Sequence, residues 1–156
     1  MLLQRIKNME LNETICLEEH NQEWTIQFQK EKTIIQNALK NLKFYIEHIG
    51  STAIPNIMAK PIIDIQIGIS KYPPENEIIN AIESIGYVNF GEAGIIGRNY
   101  FAKRNSGEKY NIHIVQHKSI IWKKQLIIIK NNILNGSGGQ RSGIPVAEHE
   151  KKKENE

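Results

Sequence analysis

Residues 61–69, Pro-Ile-Ile-Asp-Ile-Gln-Ile-Gly-Ile, constrain the fold more than any other stretch of the chain. Successive side chains of a β-strand point to opposite faces. The alternation therefore sets Ile63, Ile65, Ile67 and Ile69 on one face and Ile62, Asp64, Gln66 and Gly68 on the other. A slip of one residue would drive Asp64 into the core, so the register is firm. A strand with one wholly apolar face belongs in a sheet that other elements cover on that side. The run is also far shorter than the roughly 20 apolar residues a membrane-spanning helix needs.

The flanking segments supply those elements. Asn21 is placed to cap a helix that starts near Gln22 and carries Trp24, Phe28, Ile35, Leu39 and Leu42 on one stripe. Residues 43–49 alternate as a strand, with Phe44, Ile46 and His48 on one face and Tyr45, Glu47 and Ile49 on the other. Gly50-Ser51-Thr52 breaks that strand before a short helical turn. A helix over 75–85, ended by Gly86, precedes strands near 87–90, 98–103 and 110–115. In the last of these, Asn111, His113 and Val115 share a face. Ser119 caps a final helix whose stripe is Trp122, Leu126, Ile129 and Ile133. This order predicts an α/β (α+β) domain, a mixed sheet with helices packed mainly on one side. Residues 1–135 form one domain in this reading, and the Gly-rich then charged residues 136–156 form a flexible or divergent tail.

Asp64 is the only aspartate among 17 acidic residues. EF-hand loops, paired-aspartate proteases and all-aspartate two-metal sites are thereby excluded. The net charge of +3 comes from Lys and Arg spread among glutamates, which gives no dedicated nucleic-acid surface. With one cysteine, Cys16, no internal disulfide can form. Together with a start that lacks a long apolar h-region, this sets the expectation of a cytoplasmic protein with no membrane segment.

Residues 47–55 and 60–67 carry the chemistry: a strand ends in Gly50-Ser51, and a second strand presents Asp64 about a dozen residues later. Glycine lets backbone approach a phosphate closely. Ser51 and the amides at the helical start, Thr52 included, can donate to phosphate oxygens, and Asp64 can hold Mg²⁺ against the same phosphates. A tight turn with a capping serine and one polar strand residue accounts for the same spacing. Lys60 and Arg98 are the best anion partners, unless Lys60 is simply solvated and Arg98 pairs with Glu92 or Glu47.

These segments resemble the GrpB family, small bacterial and archaeal proteins placed in the nucleotidyltransferase superfamily. A module of the same kind is also fused to dephospho-coenzyme A kinase. The likeness spans about residues 15–130 and includes Glu23-Trp24, residues 47–55, Lys60-Pro61-Ile62-Ile63-Asp64-Ile65, Gly86-Tyr87, Gly97-Arg98, Ile112-His113-Ile114-Val115 and Trp122. It implies a nucleotidyltransferase-like fold that binds a nucleotide or other phosphorylated small molecule and transfers a nucleotidyl group. Gly50 and Ser51 match the phosphate element and Asp64 the first metal acid. Gln66 stands at the second acid position and His113 at the third. One acid of three suggests an alternative, a non-catalytic ligand-binding or regulatory module. Mg²⁺ or Mn²⁺ is the implied cofactor. A convergent His48, Asp64 and His113 set would also suit Zn²⁺, or general acid–base work by His113 beside Asp64. After Trp122 the chain departs from the further helical segment usual in the family.

Overall fold

The computed structural model describes Gln4, Glu13, residues 16–105 and residues 107–136. Most of the tail, residues 137–156, lies outside the described residues, as does Ser106.

Helix α1 spans Glu23–Ala38, and Asn21 Oδ1 accepts from the Glu23 amide at 2.9 Å, satisfying one of the free donors of the first turn. The chain then forms β1 (Phe44–Ile49), a 3₁₀ turn (Ser51–Ala53), β2 (Ile63–Ile69), α2 (Asn76–Ser84), β3 (Val88–Asn89), β4 (Arg98–Arg104), β5 (Lys109–Gln116) and α3 (Ile120–Asn135). The sheet order is β1-β2-β5-β4-β3. Only β2 and β5 run parallel; every other pair is antiparallel.

Register assigns the two faces. On one, His48, Ile65, Ile112 and Phe101 stand side by side, next to a row of Ile46, Ile67 and Ile114. Trp24, Phe28 and Ile35 of α1, Leu39 just beyond it and Ile82 of α2 bury this face. Each such side chain contributes about 1.5–3 kcal/mol by leaving water. Glu31 occupies the α1 stripe between Phe28 and Ile35, and it is buried. It pairs there with Lys103 of β4 and accepts from the Tyr87 hydroxyl at 2.8 Å. The Lys103 ammonium also lies 4.8 Å from the Tyr87 ring centre and 5.2 Å from that of Tyr110. The core thus contains a paired charge that hydrophobic periodicity does not reveal.

The second face carries Ile49, Asp64, Asn111 and Ala102 in one row and Glu47, Gln66, His113 and Tyr100 in the next. Helix α3 covers part of it. Ser119 Oγ accepts from the Trp122 amide at 3.3 Å, as the cap predicts. The Trp122 ring lies over Gly68, where an added Cβ would meet it at 2.8 Å. The expected stripe on α3 is only partly realised. Trp122 is the sole fully buried residue of the helix, Leu126 and Ile129 are half-buried, and Ile133 is exposed. The first turn of α3 packs most closely on the sheet, Gln125, Leu126 and Ile129 are half-buried, and the residues from Lys130 onward are exposed. Among the described residues, two helices therefore cover one face and a third covers part of the other. No helix among the described residues is long and apolar enough to cross a membrane.

Candidate functional site

The uncovered part of the second face forms a cleft of about 260 Å³. Asp64, Gln66 and His113 line its floor, Gly50, Ile95 and Arg98 its side, and Ile121 and Gln125 of α3 its far wall.

Gly50 has φ 74° and ψ −173°, a conformation open essentially to glycine alone. A Cβ there would stand 2.7 Å from Asp64 Oδ2. Backbone strain and close approach thus meet at one residue, and the Gly50 main chain lies directly against the Asp64 carboxylate.

The other carboxylate oxygen is held from the adjacent strand. Asn111 Nδ2 donates to Asp64 Oδ1 at 3.0 Å, and His113 Nε2 lies 3.1 Å from the same atom. Tyr100 OH and Arg104 Nη2 each donate to Asn111 Oδ1 at 3.0 Å. Two donors on that oxygen leave only the Asn111 amide nitrogen to face Asp64. A carboxylate only accepts, so His113 Nε2 carries the hydrogen of its bond.

Two polar atoms of the cleft residues are buried without a partner. Gln66 is fully buried, and its Nε2 donates to the Trp122 carbonyl at 3.2 Å while Oε1 has none. Arg98 Nη2 donates to the Glu92 and Ala93 carbonyls, both at 3.1 Å, while Nε has none. Burial draws the Arg98 guanidinium below its ordinary pKa, against the opposing pull of Tyr100 and Asp64. The Glu92 carboxylate closes the 91–97 loop by accepting from the Gly97 amide at 2.9 Å. Arg98 therefore meets Glu92 through its carbonyl, not its carboxylate.

The chain matches the family described as GrpB protein over residues 14–134. It belongs to the GrpB family. It is 29% identical over 117 residues to the glutamate-rich protein GrpB of Alkalihalophilus pseudofirmus, covering 72% of this chain and 67% of that one. Protein YqkA of Bacillus subtilis is 32% identical over 108 residues, covering 69% of this chain but only 32% of YqkA, so the chain spans about a third of that relative's length. The crystal structure of the conserved protein GrpB from Enterococcus faecalis superposes with a TM-score of 0.70 at 30% identity, covering 78% of this chain and 74% of that one.

Within this GrpB fold, Gly50, Asp64, Arg98 and His113 come together, with Ser51 half-buried in the turn directly after Gly50. Three expected residues do not join them. His48 does not converge with Asp64 and His113. It pairs with Ile65, whereas Asp64 pairs with Ile49, so the pleat turns His48 toward α1. There its ring stacks on Phe28 at 4.7 Å, and Nε2 lies 2.9 Å from Thr52 Oγ1. Burial pulls the His48 pKa down to about 4. Thr52 is buried, and its hydroxyl bonds to His48 and the Ile62 carbonyl, which makes it a brace beneath the turn and leaves no hydroxyl for a phosphate. Lys60 is exposed and lies outside the cleft lining. Glu47 shares the Asp64 face beside Gln66 and is exposed. Asn111, Gln66 as a cleft acceptor and Gln125 were not anticipated as site residues, although Asn111 follows directly from its alternation with His113.

The donor set does not fit a resident divalent cation. Mg²⁺ and Mn²⁺ take several hard oxygens, usually carboxylates together with substrate phosphates. Here Asp64 is the single carboxylate of the floor, and two hydrogen-bond donors already occupy its Oδ1. Among the described residues, no group of three His, Cys, Asp or Glu side chains is placed to hold a metal ion.

Proposed function

We propose that this GrpB-family chain binds a nucleotide or another phosphorylated small molecule in the cleft over Asp64. The observation that carries this reading is the meeting of two unpartnered buried atoms, Gln66 Oε1 and Arg98 Nε, in one cleft with Asp64 and His113. Buried polar atoms of native proteins are almost always paired, so two unpaired ones on residues that line one cavity mark where a ligand, with a small shift of those side chains, completes the structure. Arg98 supplies the cationic contact for an anionic group. The Gly50-Ser51 turn brings main chain to the edge of the same cavity. A thermal-shift screen with nucleoside mono- and triphosphates, sugar phosphates and inorganic phosphate tests the reading. A binding compound raises Tm with concentration, and Arg98→Met and Asp64→Ala lose that response. If no phosphorylated compound moves Tm at millimolar concentration, the reading is wrong.

A second reading, a binding module without transferase chemistry, is favoured by Gln66. Its amide is neutral and tied to Trp122 where the superfamily pattern asks for a second metal acid. Two-metal phosphoryl chemistry needs both metal-bridging carboxylates. Incubating a bound nucleoside triphosphate with Mg²⁺ decides between them. With a polyol or other hydroxyl acceptor added, a module returns it intact, whereas a transferase joins the α-phosphorus to an acceptor oxygen, water included, as the bond to the β-phosphate breaks and pyrophosphate leaves.

A further inference from the structure

We infer that the cleft recognises the hydroxyl-bearing part of a phosphate ester, such as a sugar phosphate or the ribose phosphate of a nucleotide, without a divalent cation. This rests on the reading of the cleft as a phosphorylated-ligand site and names the group that Asp64 and Gln66 bind.

A carboxylate offers about four lone-pair positions, two on each oxygen. Asn111 and His113 fill those of Asp64 Oδ1. Asn111 cannot turn its amide to relieve this, because Tyr100 and Arg104 hold its oxygen. Oδ2 remains, on the side of Gly50, and takes no hydrogen bond from any described residue. Two residues along the same strand face, Gln66 Oε1 is a neutral acceptor, also without a partner.

A metal ion at this floor would have one half-occupied carboxylate and one amide oxygen. A hydroxyl-rich group suits it better. Hydroxyl hydrogens donate to Asp64 Oδ2 and Gln66 Oε1, and the charged acceptor makes the first of these bonds roughly twice as strong as a neutral one. Across the cleft Arg98 Nε is an unpartnered donor. It requires an acceptor, and a phosphate oxygen meets that need. The site therefore asks for donors at one end and an anionic acceptor at the other. Inorganic phosphate keeps a P–OH donor at neutral pH but is too small to reach the floor and Arg98 with separate groups, whereas a sugar phosphate has both ends.

Isothermal titration in EDTA and again in Mg²⁺ tests this, with ribose 5-phosphate, adenosine 5′-monophosphate, its 2′,3′-dideoxy counterpart and inorganic phosphate as probes. The hydroxylated esters are expected to bind with the same Kd in both buffers. The dideoxy nucleotide and inorganic phosphate should bind at least tenfold more weakly. Asp64→Asn, with Tm checked to show an intact fold, should weaken the hydroxylated esters at least tenfold and remove their advantage over the dideoxy nucleotide. Binding that requires Mg²⁺ overturns the metal-free inference while leaving the phosphorylated-ligand reading in place. Equal affinity for adenosine monophosphate and its dideoxy counterpart overturns the hydroxyl contact. No binding by any probe in either buffer overturns the underlying reading and this one with it.

Discussion

Replacing Gly50 with alanine should damage the fold and the cleft together, and the structure separates the two costs. The backbone cost arises from φ 74° and ψ −173°, and holding a non-glycine residue there takes about 1–3 kcal/mol. The contact cost arises from the new Cβ, placed 2.7 Å from Asp64 Oδ2 and 3.1 Å from its Cβ. Relieving it means moving a carboxylate that Asn111 and His113 hold by two hydrogen bonds, each contributing about 1 kcal/mol or somewhat more for a charged acceptor. Gly50→Ala is therefore expected to lose about 3–5 kcal/mol in urea unfolding at pH 7. Asp64→Ala removes the closest contact and leaves only the 3.1 Å approach of its Cβ. In that background the same glycine substitution should cost only the backbone share, about 1–3 kcal/mol, giving a coupling of at least 1 kcal/mol in a double-mutant cycle. A loss under 0.5 kcal/mol for Gly50→Ala would refute the strain. An equal loss in both backgrounds would refute the contact with Asp64.

Glu31→Gln should cost about 3–5 kcal/mol, because it leaves the Lys103 ammonium buried without its counter-charge, and the Glu31→Leu/Lys103→Met pair should recover most of that loss. Denaturant midpoints of the three proteins measure it, and a Glu31→Gln loss under 1 kcal/mol would contradict the pairing. His48 confers an acid sensitivity of known sign. Its folded pKa of about 4 lies below the ordinary 6.5, so between those values the unfolded chain binds a proton that the folded chain refuses. Stability should fall as pH drops below 6.5 and level off below about 4, by about 3 kcal/mol in all. His48→Gln should show a correspondingly flatter loss when unfolding is followed from pH 7 to pH 4, and an unchanged slope would remove His48 as the cause. Gly68→Ala should push the Trp122 ring off the sheet, costing about 1–3 kcal/mol of overpacking and shifting tryptophan emission to the red. Unmoved emission would mean that Trp122 does not rest on Gly68.

The parts of this fold that were legible before the structure are those in which one segment carries its own phase. The 61–69 alternation put Asp64 opposite Ile63 and Ile65, and 110–115 put Asn111 beside His113; both hold. The relation between strands was not legible in the same way. Within 43–49 the sequence separates His48 from Glu47 but does not say which joins Asp64. Only the antiparallel register of β1 on β2 settles that, and it selects Glu47. The role of the Thr52 hydroxyl was hidden for a related reason, since it is claimed by His48, a neighbour from another element. Glu31 had no visible counterpart, because Lys103 stands 72 residues away and the pair is made by packing. The overreach along α3 has a different origin. Its apolar residues are abundant enough to draw a stripe on any face, so periodicity carried little information there.

The hydrogen bond from Gln66 to the Trp122 carbonyl ties the floor of the cleft to the first turn of α3. Docking of that turn and the geometry at Asp64 are consequently linked equilibria. Whatever occupies the cleft and fixes Gln66 favours the docked helix by a certain free energy, and whatever stabilises the docked helix tightens the cleft by the same amount. Helix α3 thus acts as a thermodynamic reporter of the site, readable from amide exchange in residues 120–124 without any knowledge of the chemistry performed beneath it.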